Sequence, residues 1–421
     1  MLCHLKGIFE ESQNTAYETW LLDFIEQHKG LAAPPVPIHE LRNGLAIGSL
    51  LNDLEEPERR ECWDMLSQSL GGVFDTLQMD YNAVVTPQIM QWNRELPVAF
   101  HTVLSVAVPT LQSTATPEAQ YQALTDIIKL SLEAALLPVD VLHPVPTDTL
   151  WTANALSTEI NPKTHYILRH VRSALDRMQA KQALLAQSCG SQADVQAYFS
   201  DGINEAQLAG SNTLIDAVIQ ALFTGSAAEL SELTGQLHLP SLETGYFNAF
   251  PYSEDMLSFF DTSVDEMPNP LALASFILLS CSGVGSIDLE LLLALCLPPH
   301  TQDMSVCEQL DLFFASEAYQ KLRKLLIFRE QYPAFHMQGA QIALHRHPHI
   351  WGVQRYSPDM INTVLCLANV SSKAQEIVLG EDEISKDTLW RDFNSEKQFQ
   401  AGESWRLSPG EFLWLLSDKK S

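Results

Sequence analysis

Basic residues are scarce. Only 25 Lys and Arg stand against 52 Asp and Glu in 421 residues, a formal net charge of -27. No run of Lys or Arg occurs, so the basic stripe that neutralises a phosphate backbone is missing. The same negative field repels anionic lipid surfaces. These features exclude nucleic acid and membrane as partners and leave neutral, sugar-like ligands. Paired cysteine motifs are missing too. The seven cysteines (Cys3, Cys62, Cys189, Cys281, Cys296, Cys307, Cys366) include no Cys-x-x-Cys. An odd, dispersed count reads as free thiols in a reducing compartment. The opening residues, Met1 to Lys6, carry no apolar leader core. A cytoplasmic protein is the expectation.

Other absences narrow the chemistry. There is no Gly-x-x-x-x-Gly-Lys loop, no His-Glu-x-x-His and no Gly-x-Ser-x-Gly. Gly283-Val284-Gly285 is only a fragment of a dinucleotide fingerprint, because Asp288 holds its third glycine position. His345, His347 and His349 alternate, yet Pro348 interrupts the strand and no Cys or carboxylate completes a ligand set. No metal and no cofactor is expected. One uncharged run, Asn269 to Ile287, has the length of a membrane span. Its serines and glycines, and the acids after it, mark a buried helix feeding a buried strand.

What is present is a large apolar fraction, 46% of residues, with 18% charged. That composition argues against disorder, and the length allows two or three domains. A helical pattern surrounds Trp20 to Ile25, followed by Pro34-Pro35-Val36-Pro37, which forbids helix. From residue 44 onward, short apolar runs alternate with helical spacing. The strand-like runs are 44–48, 73–79, 98–108, 136–142, 184–186, 245–248 and 283–285. Helical spacing covers 63–70, 118–135, 167–178 and 319–330. Alternation sustained over nearly three hundred residues predicts a parallel (β/α)8 barrel. After residue 335 the texture is all-β, with a hairpin whose strands flank Ser357-Pro358-Asp359. The expected division is therefore 1–43 helical extension and linker, 44–335 barrel, 336–421 antiparallel β domain.

Several stretches, in order, resemble the sucrose phosphorylase-like branch of glycoside hydrolase family 13, the α-amylase family. They are Pro162-Lys163-Thr164-His165, Tyr198-Phe199-Ser200-Asp201-Gly202 with Glu205-Ala206, Phe247-Asn248 and Ala274-Ser275-Phe276 to Val284. Arg329-Glu330-Gln331-Tyr332-Pro333-Ala334-Phe335-His336, Asn369-Val370-Ser371, Trp390-Arg391-Asp392-Phe393 and Phe412-Leu413-Trp414-Leu415 follow. The resemblance implies a (β/α)8 barrel, a small insert domain after strand three and a C-terminal β domain. The short connection from Val108 to Pro117 leaves no room for the insert.

The resemblance also implies three acids. In a retaining mechanism a nucleophile and an acid/base stand about 5 Å apart around an oxocarbenium-like transition state. A third carboxylate stabilises that state. Two alignments compete for the nucleophile on strand four. One gives Asp140, with Pro138 in the arginine place. The other gives Val145, with His143 in that place. At the acid/base position stands Gln187, whose amide cannot deliver a proton. Glu254 or Asp255 falls near the stabiliser position. Trp151 and His143 are the candidate sugar contacts at the barrel mouth.

These assignments imply a catalytically inactive or strongly impaired homologue of α-glucoside phosphorylases. It would act by binding a sugar or by serving a protein partner. A diverged active glycosidase or phosphorylase, and a purely structural protein, stand as alternatives.

Overall fold

The computed structural model describes residues 11–31, 37–148, 150–152, 163–200, 204–237, 239, 241, 243–251, 253–263, 269–344, 347–380, 384, 388–395 and 397–418. The proline-rich linker at 32–36 and His345 lie outside these residues. Eight parallel strands close a barrel: β1 Asn43–Gly48, β2 Thr76–Asp80, β3 His101–Ala107, β4 Val141–Val145, β5 Ala183–Ser188, β6 Leu208–Ser211, β7 Gly245–Phe250 and β8 Val284–Asp288. Each pairs with its chain neighbour, and β8 returns to β1 through Asn43 opposite Gly285 and Leu45 opposite Ile287.

The helices form the outer ring. They are α1 Glu11–His28, α2 Glu56–Leu70, α3 Val85–Arg94, α4 Pro117–Ala134, α5 Lys163–Arg177, α6 Gln192–Ala197, α7 Asn212–Thr224 and α8 Ala228–Gly235. α9 Glu254–Ser263, α10 Pro270–Ser280, α11 Leu289–Cys296, α12 Val306–Ala315 and α13 Glu317–Gln331 complete it. Only residues 108–116 join β3 to α4, and no insert domain stands there. α1 lies on the ring: its Tyr17 hydroxyl bonds His170 Nε2 at 2.7 Å and its ring meets Tyr121 edge-on. The uncharged run resolves into α10, apolar on every side and buried, followed by β8. Among the described residues no helix is long and apolar enough to cross a membrane.

Strand alternation sets the inside of the barrel. Val103, Val141, Leu185, Leu208, Phe247 and Val284 form an inner cluster, closed by Leu41 and Met337. The opposite faces of the strands pack against the helices. Arg329 clamps the closing seam at the same end. Fully buried, it donates to the carbonyls of Leu279, Arg42 and Gly283 and to Asn43 Oδ1.

The rest of the chain is antiparallel. Its strands are β9 Gln341–Leu344, β10 Ile350–Tyr356, β11 Thr363–Asn369, β12 Gln375–Val378, β13 Leu389–Asp392, β14 Gln398–Phe399, β15 Ser404–Leu407 and β16 Phe412–Asp418. One sheet runs β9-β10-β11-β16-β13-β14, and β12 pairs with β15. Trp414 joins it to the barrel. Its indole donates to Ser280 Oγ at 2.7 Å, and Phe276, Phe328, Phe335 and Phe393 surround it.

Two expectations are corrected. The fourth strand covers 141–145, not 136–142. After α4 ends, Leu136, Leu137 and Val139 turn through local hydrogen bonds beneath the barrel. Their apolar character reflects burial in a turn. The second correction concerns thiols: Cys62 on α2 and Cys307 on α12 form a disulfide with Cα atoms 5.2 Å apart. The two residues are 245 positions apart in sequence, and only the closing of the helical ring brings them together. The expectation of a reducing compartment rested on free thiols, and a disulfide is a linkage that oxidising compartments favour.

Candidate functional site at the barrel mouth

In parallel barrels the chemistry sits where the strands end. Two residues beyond the apolar layer, the same inward faces carry polar side chains. Val103 is followed by Ser105, Val141 by His143, Leu185 by Gln187 and Val284 by Ser286. Gln78 joins them from β2. Gln78 Nε2 donates to Ser105 Oγ at 3.1 Å, and that hydroxyl lies 3.3 Å from His143 Nδ1. Ser105 Oγ accepts from Gln78 and keeps both a proton to donate and a lone pair to accept, so it pairs with either neutral tautomer of His143. Burial pushes the pKa of His143 down to about 4, so the ring is neutral at ordinary pH. His143 Nε2, Gln78 Oε1 and Ser286 Oγ are buried with no hydrogen-bond partner among the described residues.

The end of β5 carries a second group. Gln187 Nε2 donates to Asn212 Oδ1 at 2.7 Å, and Asn212 Nδ2 donates to Cys189 Sγ at 3.0 Å. Asp148, in the loop after β4, is the nearby carboxylate. It accepts from Tyr198 at 2.7 Å, Ser188 at 3.2 Å and the Cys189 amide at 2.6 Å. Burial raises its pKa, and those donors partly offset the effect. Three donors hold it as a structural acceptor. Across the mouth, Asp80 ends β2, Asp288 ends β8 and Glu290 follows it. Asp288 caps α11 by accepting from the amides of Glu290 and Leu291. Burial and its two acidic neighbours raise the pKa of Glu290.

The expected residues fall as follows. Asp140 stands one residue before β4, at the opposite end of the barrel from the mouth. There its carboxylate accepts from the Thr102 amide at 2.8 Å and lies 4.0 Å from His101. Val145 is the residue that ends β4. Gln187 is inward and next to last in β5. Glu254 and Asp255 are exposed in the first turn of α9, shortly after β7. Trp151 is buried, its indole N–H donates to Ser113, and Lys163 covers its ring 4.4 Å from the centroid. That covered face leaves no stacking platform for a pyranose. Of the set, only His143 and Gln187 share the inward wall of the mouth.

Asp148, Asn212, Ser105 and Gln78 were not singled out from sequence, and Tyr198 entered only as part of a family-like stretch, with no role. They occupy no fixed spacing, and only strand register brings them together. Among the described residues no three His, Cys, Asp or Glu side chains are placed to hold a metal ion.

No protein-family model and no curated protein sequence matches the chain. Solved structures do. A glutamate-to-glutamine variant of AmyP in complex with maltotriose matches with a TM-score of 0.63 at 10% identity, covering 91% of this chain and 98% of that one. The α-amylase from Geobacillus thermoleovorans, complexed with acarbose, gives 0.64 at 11% identity, covering 92% and 100%. The trehalulose synthase MutB, as an inactive double mutant lacking two aspartates and in complex with isomaltulose, gives 0.61 at 10%, covering 91% and 100%. At such identities the likeness establishes the fold.

Proposed function

We propose that the chain is a non-catalytic member of glycoside hydrolase family 13, from the sucrose phosphorylase-like branch, that binds an α-glucoside or related sugar at the barrel mouth. The carrying observation is the pair of adjacent strand ends where a retaining enzyme needs its two acids. β4 ends on Val145 and β5 presents Gln187. Neither side chain can attack an anomeric carbon or protonate a leaving oxygen. Loss of a positioned general acid alone costs about 10²–10⁴-fold, and the missing nucleophile compounds it.

Sugar binding is supported by the inward polar layer. His143 Nε2 offers a donor or an acceptor according to its tautomer, Gln78 Oε1 an acceptor and Ser286 Oγ either. A sugar hydroxyl donates and accepts at once, which suits such a set. The MutB double mutant, in complex with isomaltulose, is a neighbour in which loss of carboxylates and sugar binding coexist.

The test is an incubation with sucrose, glucosylglycerol and glucosylglycerate, with and without phosphate, assayed for glucose and glucose 1-phosphate. No turnover is expected. Calorimetric titration with the same sugars is expected to show binding that His143→Ala weakens. Turnover by the unaltered protein defeats the non-catalytic reading. Absence of binding for every sugar defeats the sugar-binding reading.

A further inference from the structure

Away from the mouth, a cavity of about 390 Å³ lies where α10, α11, α12 and α13 meet the C-terminal sheet. That volume is within the range of small-ligand sites. Leu271, Leu292, Phe313, Leu322, Leu325 and Phe412 supply apolar walls. Among them lies Ser275, only 4% exposed, whose hydroxyl makes no hydrogen bond among the described residues. A hydroxyl with no protein partner that faces a cavity is satisfied there by a ligand or by water.

The rim is cationic in a chain that has few cations. Lys321 and Lys324 sit three residues apart on α13 and both line the cavity. Lys321 is held by Glu317 at 2.8 Å. Lys324 is exposed and has no ion-pair partner among the described residues. The N-terminus of α10 opens onto the same space through Asn269, Leu271 and Ala272, and Asn269 caps it by accepting from the Ala272 amide. Its dipole adds partial positive charge.

We propose that this cavity binds a free apolar carboxylate of about medium-chain length, its tail between the leucine and phenylalanine walls and its carboxylate at Lys324 and the α10 N-terminus. Recognition has two separable parts. The walls reward chain length, by about fourfold in affinity for each buried methylene. The lysine and helix end reward the negative head.

The probe is sodium octanoate below its micellar concentration, titrated calorimetrically into the full-length protein, with hexanoate and 1-octanol beside it. Octanoate is expected to bind one to one, about sixteenfold tighter than hexanoate, about fourfold for each of its two extra methylenes. Lys324→Glu is expected to weaken octanoate about tenfold and leave 1-octanol unchanged. Ala272→Phe, which fills the cavity, is expected to abolish both. Should Ala272→Phe fail to fold by circular dichroism, Lys324→Glu decides, because its site is exposed. No saturable octanoate binding, equal affinity for octanoate and 1-octanol, or indifference to Lys324→Glu overturns the proposal. Displacement of octanoate by sucrose also overturns it, because that places octanoate at the barrel mouth.

Discussion

Gln187 at the end of β5 donates to Asn212 at the start of α7 across 2.7 Å. The side chain that the proposed function assigns to the acid/base position is thus a donor already engaged with a neighbour. A glutamate there would face the Asn212 carbonyl oxygen, and an amide flip would restore the bond. Gln187→Glu is therefore expected to fold, with a stability change within about 1 kcal/mol. It is expected to remain inactive, because Val145 on the adjacent strand supplies no nucleophile. Only Val145→Asp combined with Gln187→Glu restores the two-carboxylate arrangement. Hydrolysis of an activated aryl α-glucoside, followed by release of the aryl group, separates the cases. Activity in the single variant would mean that another carboxylate serves as nucleophile.

Tyr198 is fully buried and its hydroxyl reaches Asp148 at 2.7 Å. The acceptor is a carboxylate with two other donors, so removing one donor leaves it partly satisfied. Tyr198→Phe is expected to cost about 1–2 kcal/mol in urea unfolding at neutral pH. In Asp148→Asn the same substitution should cost much less, since a neutral acceptor loses less. Equal costs in the two backgrounds would mean that the hydroxyl contributes through packing alone.

Seven of the eight barrel strands have a short apolar run at or beside them, which made the barrel legible; β6, Leu208–Ser211, was missed because it is four residues long and two of them are Gly210 and Ser211. Which end of a run enters the sheet was less legible. Leu136, Leu137 and Val139 are apolar because they lie beneath the barrel, and sequence does not distinguish that burial from a strand. The resulting shift placed Asp140 at a mouth it does not reach. Gln187 lies next to last in β5, which extends the run Leu184-Leu185-Ala186 by one residue before it and two after. The link between Cys62 and Cys307 had no sequence signal, since their proximity is a product of ring closure. Arg329 and its neighbours, which resemble a family stretch, serve as the seam clamp. That part of the resemblance therefore tracks fold rather than chemistry.

Glu330 lies at the clamp end of the barrel beside Asp75. Burial first, then the charge of Asp75 and a hydrogen bond shared with it, raise its pKa from 4.5 to about 7. A carboxyl with a raised folded pKa binds its proton more tightly in the native state. Its contribution to stability is complete below about pH 4.5 and is lost as pH rises through 7. Glu330→Gln keeps the hydrogen bond and removes the titration. Between pH 5 and pH 8 the unaltered protein should lose on the order of 1 kcal/mol relative to this variant, a figure reduced for solvent screening of a half-buried group. His143 acts with the opposite sign. Its folded pKa, lowered to about 4, withdraws stability as pH falls from 6.5 toward 4. Chemical denaturation of the unaltered protein, Glu330→Gln and His143→Ala from about pH 4 to pH 8 resolves the two slopes, and parallel curves for Glu330→Gln and the unaltered protein would show that Glu330 carries no raised pKa.

The Cys62–Cys307 bridge closes a loop of 245 residues that spans most of the barrel. Cross-linking so long a segment restricts the unfolded chain strongly, and native bridges typically contribute about 2–5 kcal/mol. In the folded state both cysteines are almost fully buried between α2 and α12. Reduction should therefore be slow without denaturant and rapid with it. The unfolded protein should show two more titratable thiols after reduction than before. Cys62→Ala combined with Cys307→Ala should melt at a lower temperature than the oxidised protein and close to the reduced one. That last comparison separates the bridge from the packing of its two sulfurs, because the reduced protein keeps the sulfurs and loses only the bond. A reduced protein as stable as the oxidised one would mean that the helical ring holds the two ends of this loop together without the covalent link.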